Sequence, residues 1–172
     1  MTGREVAILV EENFNDLEFW YPYYRLIEEG FFPIVVAPVA PRHYMGKYNT
    51  AVDATYSPQS LMENLPSAVI IPGGWAPDKL RMSVEIVSLV AEMHRTRKVI
   101  ASICHGGSVL VSAGILQGHQ VTSFPSIKDD MQCAGAIWVD EPVVISDKLI
   151  TSRKPPDLPF FTKAILEALG KK

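Results

Sequence analysis

The sequence predicts an α/β domain: a mostly parallel sheet, helices on both faces, and a nucleophile elbow at the carboxyl edge of the strands. Three observations carry this. Short β-branched apolar runs alternate with longer segments of helical period, the pattern of repeated βα units. One such run leads into Ala101-Ser102-Ile103-Cys104-His105-Gly106-Gly107-Ser108, and another into Ile70-Ile71-Pro72-Gly73-Gly74-Trp75-Ala76-Pro77.

In chain order, Val6–Val10 reads as a strand buried on both faces. A helix follows from about Asp16, with Leu17, Trp20, Tyr21, Tyr24 and Ile27 as one apolar stripe and Gly30 as its stop. Ile34–Ala37, Val69–Ile71 and Val99–Ile103 are the next buried strands, with a helix from Ser83 to Arg97 before the last of them. Gly46 to Tyr56 reads as a hairpin or extended excursion. Val139 to Thr151 reads as two or three short strands that add an antiparallel edge. The closing helix spans about Pro156 to Leu169, turning Leu158, Phe161, Ile165 and Leu169 inward, and the Lys171-Lys172 tail suits its C-terminus. With no linker, repeat or low-complexity tract, the 172 residues read as one domain, 1–172.

Composition narrows the function classes. The chain is 48% hydrophobic and 20% charged, with a net charge of −3, an ordinary globular balance. No basic stripe interleaved with aromatics supports nucleic-acid binding. The first apolar run is too short for a secretory segment and ends at Glu11-Glu12, and no run approaches the roughly 20 residues of a membrane span. The expectation is a soluble cytoplasmic protein with no membrane partner. Cys104 and Cys133 lack metal-ligand spacing, and no metal or cofactor constellation is visible.

Cys104 is the candidate nucleophile. A thiol lifted to a strand-to-helix turn lies where open α/β sheets bind ligands. At the N-terminus of the next helix it is expected to have a depressed pKa. Gly106 and Gly107 allow the turn and, on the substrate-binding side, let a substrate approach; the turn follows the small-x-nucleophile-x-Gly elbow with Cys in place of Ser. The alternative is a buried strand cysteine followed by an incidental histidine. Gly73 and Gly74 offer free backbone N–H groups for an oxyanion hole, or are a plain tight turn. Glu18 is either a solvated helix glutamate or a partly buried carboxyl, of raised pKa, that hydrogen-bonds the thiol. Pro22 removes the donor to the Glu18 carbonyl and predicts a kink.

These segments together resemble the PfpI-type intracellular protease family of the class I glutamine amidotransferase-like superfamily. The resemblance spans nearly the whole chain. Its marks are Asn13-Phe14-Asn15-Asp16-Leu17-Glu18 with Tyr21-Pro22-Tyr23, the two glycine-bearing strand ends, Thr122 to Met131, Gly135 to Asp140, and Ser152-Arg153 through Asp157-Leu158. It implies a flavodoxin-like three-layer α/β/α sandwich, self-association as a dimer or hexamer, and a site of Cys104, His105 and Glu18. It also implies a carboxylate that reaches a neighbouring subunit's histidine; Asp78 stands there, where protease members have glutamate. Phe124 stands where many members have tyrosine, and Gly107 where proline is common.

The resemblance implies three activities that share one thiol. The first is peptidase-like hydrolysis of a peptide through Cys104, with the oxyanion held near Gly74 and His105. The second is cofactor-free glyoxalase or deglycase action on a small carbonyl substrate. The third is redox sensing in a stress response, without turnover. Outside the site, His43 reads as a surface residue, His94 as packed or at an interface, and His119 as part of a turn. Ser126 reads as the N-cap of a helix bearing a structural Cys133, with Asp129-Asp130 in its first turn. The surplus of aromatics from Phe19 to Tyr24 points to a subunit interface.

Overall fold

The computed structural model describes residues 3–170; the Lys171-Lys172 tail lies outside them. In chain order the elements are β1 (Glu5–Leu9), α1 (Asp16–Glu28), β2 (Phe32–Val36), β3 (Arg42–Met45), β4 (Ala51–Ala54) and β5 (Ala68–Ile71). Then come α2 (Ala76–Leu80), α3 (Val84–Arg95), β6 (Val99–Ile103), α4 (Gly107–Ser112) and β7 (Gln120–Val121). The chain closes with α5 (Lys128–Cys133), β8 (Ile137–Trp138), β9 (Val143–Ser146), β10 (Leu149–Ser152) and α6 (Leu158–Ala168).

The main sheet has the order β2-β1-β5-β6-β10-β9, parallel except for β9. Its five parallel strands follow the flavodoxin-like 2-1-3-4-5 order, with the direction of winding reversing between β1 and β5. Their apolar runs are buried on both faces: Val6 to Leu9 and Ala68 to Ile71 are fully enclosed. Helices α1 and α6 pack together on one face, and α3 and α4 against β6 on the other. Asn15 caps α1 by accepting from the N–H groups of Leu17 and Glu18, and Ser83 caps α3. The expected excursion from Gly46 to Tyr56 covers the turn and second strand of the β3–β4 hairpin, whose first strand begins earlier at Arg42, and the expected antiparallel edge is β9.

The expected face of α1 is corrected. Its buried side is Asp16, Glu18, Phe19, Pro22 and Leu26, while Leu17 and Tyr24 are 57% and 62% exposed. The helix is apolar on two sides, and the sheet takes the one that carries Phe19. It runs unbroken through Pro22. Two further expectations change. Cys133 is an exposed free thiol at the end of α5 rather than a packed residue. Ser126 does not cap α5, which starts after Ile127 with no side-chain cap.

Candidate active site

Strand β6 is buried throughout and ends at Cys104, whose φ of +60° is a left-handed conformation sparsely populated by residues with a side chain. A single 3-10 turn over Cys104–Gly106 then enters α4. The chain therefore makes the elbow, holding a thiol that is 8% exposed at the carboxyl edge of the sheet. Gly106 serves close packing, since a Cβ there would run into the carbonyl oxygen of Ile71.

The turn after β5 supplies the floor. Gly74 has φ +83°, and a Cβ there would strike the carbonyl oxygen of Asn13. Two main-chain bonds stitch this turn to the loop before α1: Asn15 N–H to Gly73 O at 3.0 Å and Trp75 N–H to Asn13 O at 2.9 Å. The N–H groups of Gly74 and His105 both lie close enough to the Cys104 sulfur to lower its pKa. Two donors converging beside a nucleophile are the elements of an oxyanion hole.

Glu18 lies under this floor, fully buried, and its Oε2 accepts from the Gly73 N–H at 2.7 Å. Burial raises its pKa to about 7, against the pull of the Gly73 N–H, the Cys104 thiol and the Lys47 ammonium. Oε1 is buried without a hydrogen-bond partner. The thiol therefore acts on the carboxyl by proximity, and no aligned bond joins them. Cys104 departs from the depressed pKa expected of it: burial first, then the Glu18 charge, push the thiol up to about 12. The dipole of the six-residue α4 does not offset a neighbouring carboxylate in a closed compartment. The influence is one-sided: the Glu18 charge raises the thiol, because one small cavity disfavours two negative charges, whereas the protonated thiol draws the carboxyl down.

His105 sits beside the thiol, with Nδ1 3.3 Å from Sγ. Its Nε2 is 3.0 Å from the Ser126 hydroxyl, and the Phe124 ring stacks on the imidazole at 5.0 Å. Burial lowers the His105 pKa, Asp78 opposes this and Lys47 adds to it, which favours a neutral ring at pH 7. Asp78 is exposed in the first turn of α2 and acts on His105 through its charge, without a hydrogen bond.

The cleft above these groups measures about 270 Å³ and is walled by Asn15, Lys47, Tyr48, Trp75, Phe124 and Pro155. A larger depression of about 430 Å³ lies at the opposite ends of the strands, between Ser67 and Lys98, far from the thiol. Of the expected site residues, Cys104, His105, Glu18, Gly73, Gly74 and Phe124 converge, and Asp78 stands at the periphery. Ser126 and Lys47 complete the site without having been expected there. Ser126 carries a cap-like pattern, but its hydroxyl is taken by His105. Among the described residues no group of three or more His, Cys, Asp or Glu is placed to hold a metal ion.

Residues 4–168 match the DJ-1/PfpI family. The chain belongs to it. Deglycase PH1704 of Pyrococcus horikoshii is 41% identical over 156 residues, 90% of this chain and 92% of its own. General stress protein 18 of Bacillus subtilis is 34% identical over 98% of this chain and 99% of its own. In a crystal structure from Anabaena variabilis, a two-domain protein with dj-1/thij/pfpi-like and ferritin-like domains, 98% of this chain superposes with TM-score 0.95 and 40% identity. The chain covers 48% of that protein. Drosophila melanogaster DJ-1beta shares the fold of this DJ-1/PfpI chain, at TM-score 0.91 and 23% identity over 98% of it and 91% of its own length. No helix among the described residues is long and apolar enough to cross a membrane.

Proposed function

We propose that this DJ-1/PfpI chain is a cysteine-dependent glyoxalase or deglycase that acts on small α-oxoaldehydes or their adducts. The observation that carries this reading is the cleft: about 270 Å³ around a nearly enclosed thiol, below the range of typical ligand pockets. That volume suits a three-carbon carbonyl compound better than an extended peptide. The deglycase names of relatives such as PH1704 support the same direction. The peptidase reading, first on sequence grounds, ranks second.

In the proposed reaction the Cys104 sulfur bonds to the aldehyde carbon while the carbonyl electron pair moves onto oxygen. The Gly74 and His105 N–H groups stabilise that oxyanion. The thiol proton passes to Glu18 or His105, both within the site. One of these groups then moves a proton from the sulfur-bearing carbon to the adjacent carbonyl carbon through an enediol. This leaves a thioester, which water hydrolyses to a 2-hydroxy acid and free Cys104. The carbon skeleton is oxidised at one end and reduced at the other, so the step consumes no external oxidant.

The test is parallel turnover of methylglyoxal and a fluorogenic peptide, with Cys104→Ala as the blank. Cys104-dependent consumption of methylglyoxal, with little peptide cleavage, is expected. Cys104-dependent peptide cleavage without methylglyoxal turnover would reverse the ranking.

A further inference from the structure

The tip of the β3–β4 hairpin is exposed, yet its backbone is firmly held. Asp16, in the first turn of α1, accepts from the Tyr48 N–H at 2.8 Å, the Thr50 N–H at 2.9 Å and the Thr50 hydroxyl at 2.6 Å. Trp20 Nε1 donates to the same hydroxyl at 2.8 Å. Burial would raise the Asp16 pKa, but these bonds outweigh it and hold the carboxyl below its usual value. The Lys47 N–H donates to the Phe14 carbonyl at 2.8 Å, and Gly46 packs so tightly on Asp16 that a Cβ would lie 2.5 Å from Oδ1. The clamp fixes where Lys47 leaves the chain.

The Lys47 side chain reaches the cleft mouth, where its Nζ lies 5.1 Å from the Trp75 ring centroid and 5.8 Å from that of Tyr48. Two ring faces orient an ammonium without neutralising it. Among the described residues no carboxylate pairs with it. Its charge nevertheless reaches the interior, lowering the pKa of both Glu18 and His105. An unneutralised cation on a rigid hairpin at the mouth of a narrow cleft raises the local concentration of anions.

We infer that Lys47 is an anion subsite of the Cys104 cleft, and that the substrates it favours are small carbonyl compounds bearing a carboxylate, such as α-oxoaldehyde adducts of free amino acids. The subsite deepens the carbonyl-chemistry reading and rests on it for the substrate class. Asp16 is a positioning residue for this subsite, acting through the hairpin.

Iodoacetate and iodoacetamide offer Cys104 the same leaving group and differ in charge, so their rate ratio reads the subsite without requiring turnover. The thiolate displaces iodide in both cases, and Cys104 is followed separately from Cys133 by peptide mass. In Lys47→Met the iodoacetate-to-iodoacetamide ratio is expected to fall about fivefold, the scale of a partly exposed ion pair. Lys47→Arg should retain the ratio, and added salt should shrink it in the parent. Glyoxylate, whose aldehyde adds reversibly to the thiol as its oxygen takes up a proton, should protect the parent from iodoacetamide better than it protects Lys47→Met. A ratio equal in parent and Lys47→Met overturns the subsite, including the case in which an acidic side chain of a second copy occupies the lysine. Because alkylation needs no catalytic cycle, this result stands apart from success or failure with methylglyoxal.

Discussion

Glu18 and Cys104 face one compartment across Gly73: the Cβ that this glycine lacks would lie 2.8 Å from Glu18 Oε2 and 2.8 Å from the Cβ of Cys104. Acid and thiol approach because nothing larger than a hydrogen stands between them. Gly73→Ala should therefore force them apart and overpack the floor, at about 1–3 kcal/mol of stability. Thermal unfolding and Cys104 alkylation of this variant check the point. Parent-like melting together with a parent-like alkylation rate would show that the compartment has slack.

The thiol should respond to the identity of residue 18. Glu18→Gln removes the charge that raises Cys104 and keeps a donor, so the thiol pKa should fall from the parent's. Glu18→Leu removes the charge and offers no donor, so it should fall less. Both variants should lose turnover if Glu18 carries the proton. Thiolate absorbance against pH gives the order; unmoved titrations in both variants would make Glu18 a passive buried acid.

Glu18 also predicts how stability varies with pH. Its carboxyl, raised from 4.5 to about 7, keeps its proton in the native state after the unfolded chain has released its own. The native state thus binds more protons in this window, and the stability involved is full below about pH 4.5 and declines as pH rises to 7. The decline is on the order of 3 kcal/mol. Glu18→Gln should flatten this part of the unfolding free energy against pH, and a slope equal to the parent's would assign it to other groups.

Ser126→Ala should loosen the imidazole by removing the 3.0 Å contact at Nε2 while leaving the Phe124 stack. A several-fold loss of kcat with an unchanged melting temperature is expected, on the scale of one hydrogen bond of about 1 kcal/mol. Turnover equal to the parent's would show that Phe124 alone holds the ring.

The outer face of α1, with Leu17, Tyr24 and Ile27 each at least half exposed, is apolar enough to bind a second copy. Sedimentation at micromolar concentration should show a dimer or larger species, and Tyr24→Glu should shift it toward monomer. A parent that sediments only as a monomer excludes this.

Strands β1, β5 and β6 were legible because each is a short apolar run buried on both faces, so composition alone marks it, whereas the two-residue strands β7 and β8 carry no such mark. The elbow was legible because Cys104, His105 and Gly106 are adjacent in sequence. Periodicity failed on α1, where one apolar side packs on the sheet and the other faces solvent. The hairpin clamp left no local trace, since Asp16 finds Tyr48 and Thr50 at separations of 32 and 34 residues. Nor did spacing show that Glu18 would oppose a low thiol pKa, because that depends on how tightly Gly73 closes the cavity.

Asp16 and Glu18 stand two residues apart at the start of α1, one gripping the hairpin at the rim of the cleft and the other lying beneath its floor. A change that shifts this turn to widen the entrance also displaces the acid, so broader access from that side comes at the expense of chemistry. The part of the cleft wall at Pro155 has no such link to Glu18, whereas Phe124 is tied to His105 by its ring stack. Divergence of substrate range among related sequences should therefore accumulate around Pro155, while the start of α1 stays nearly fixed.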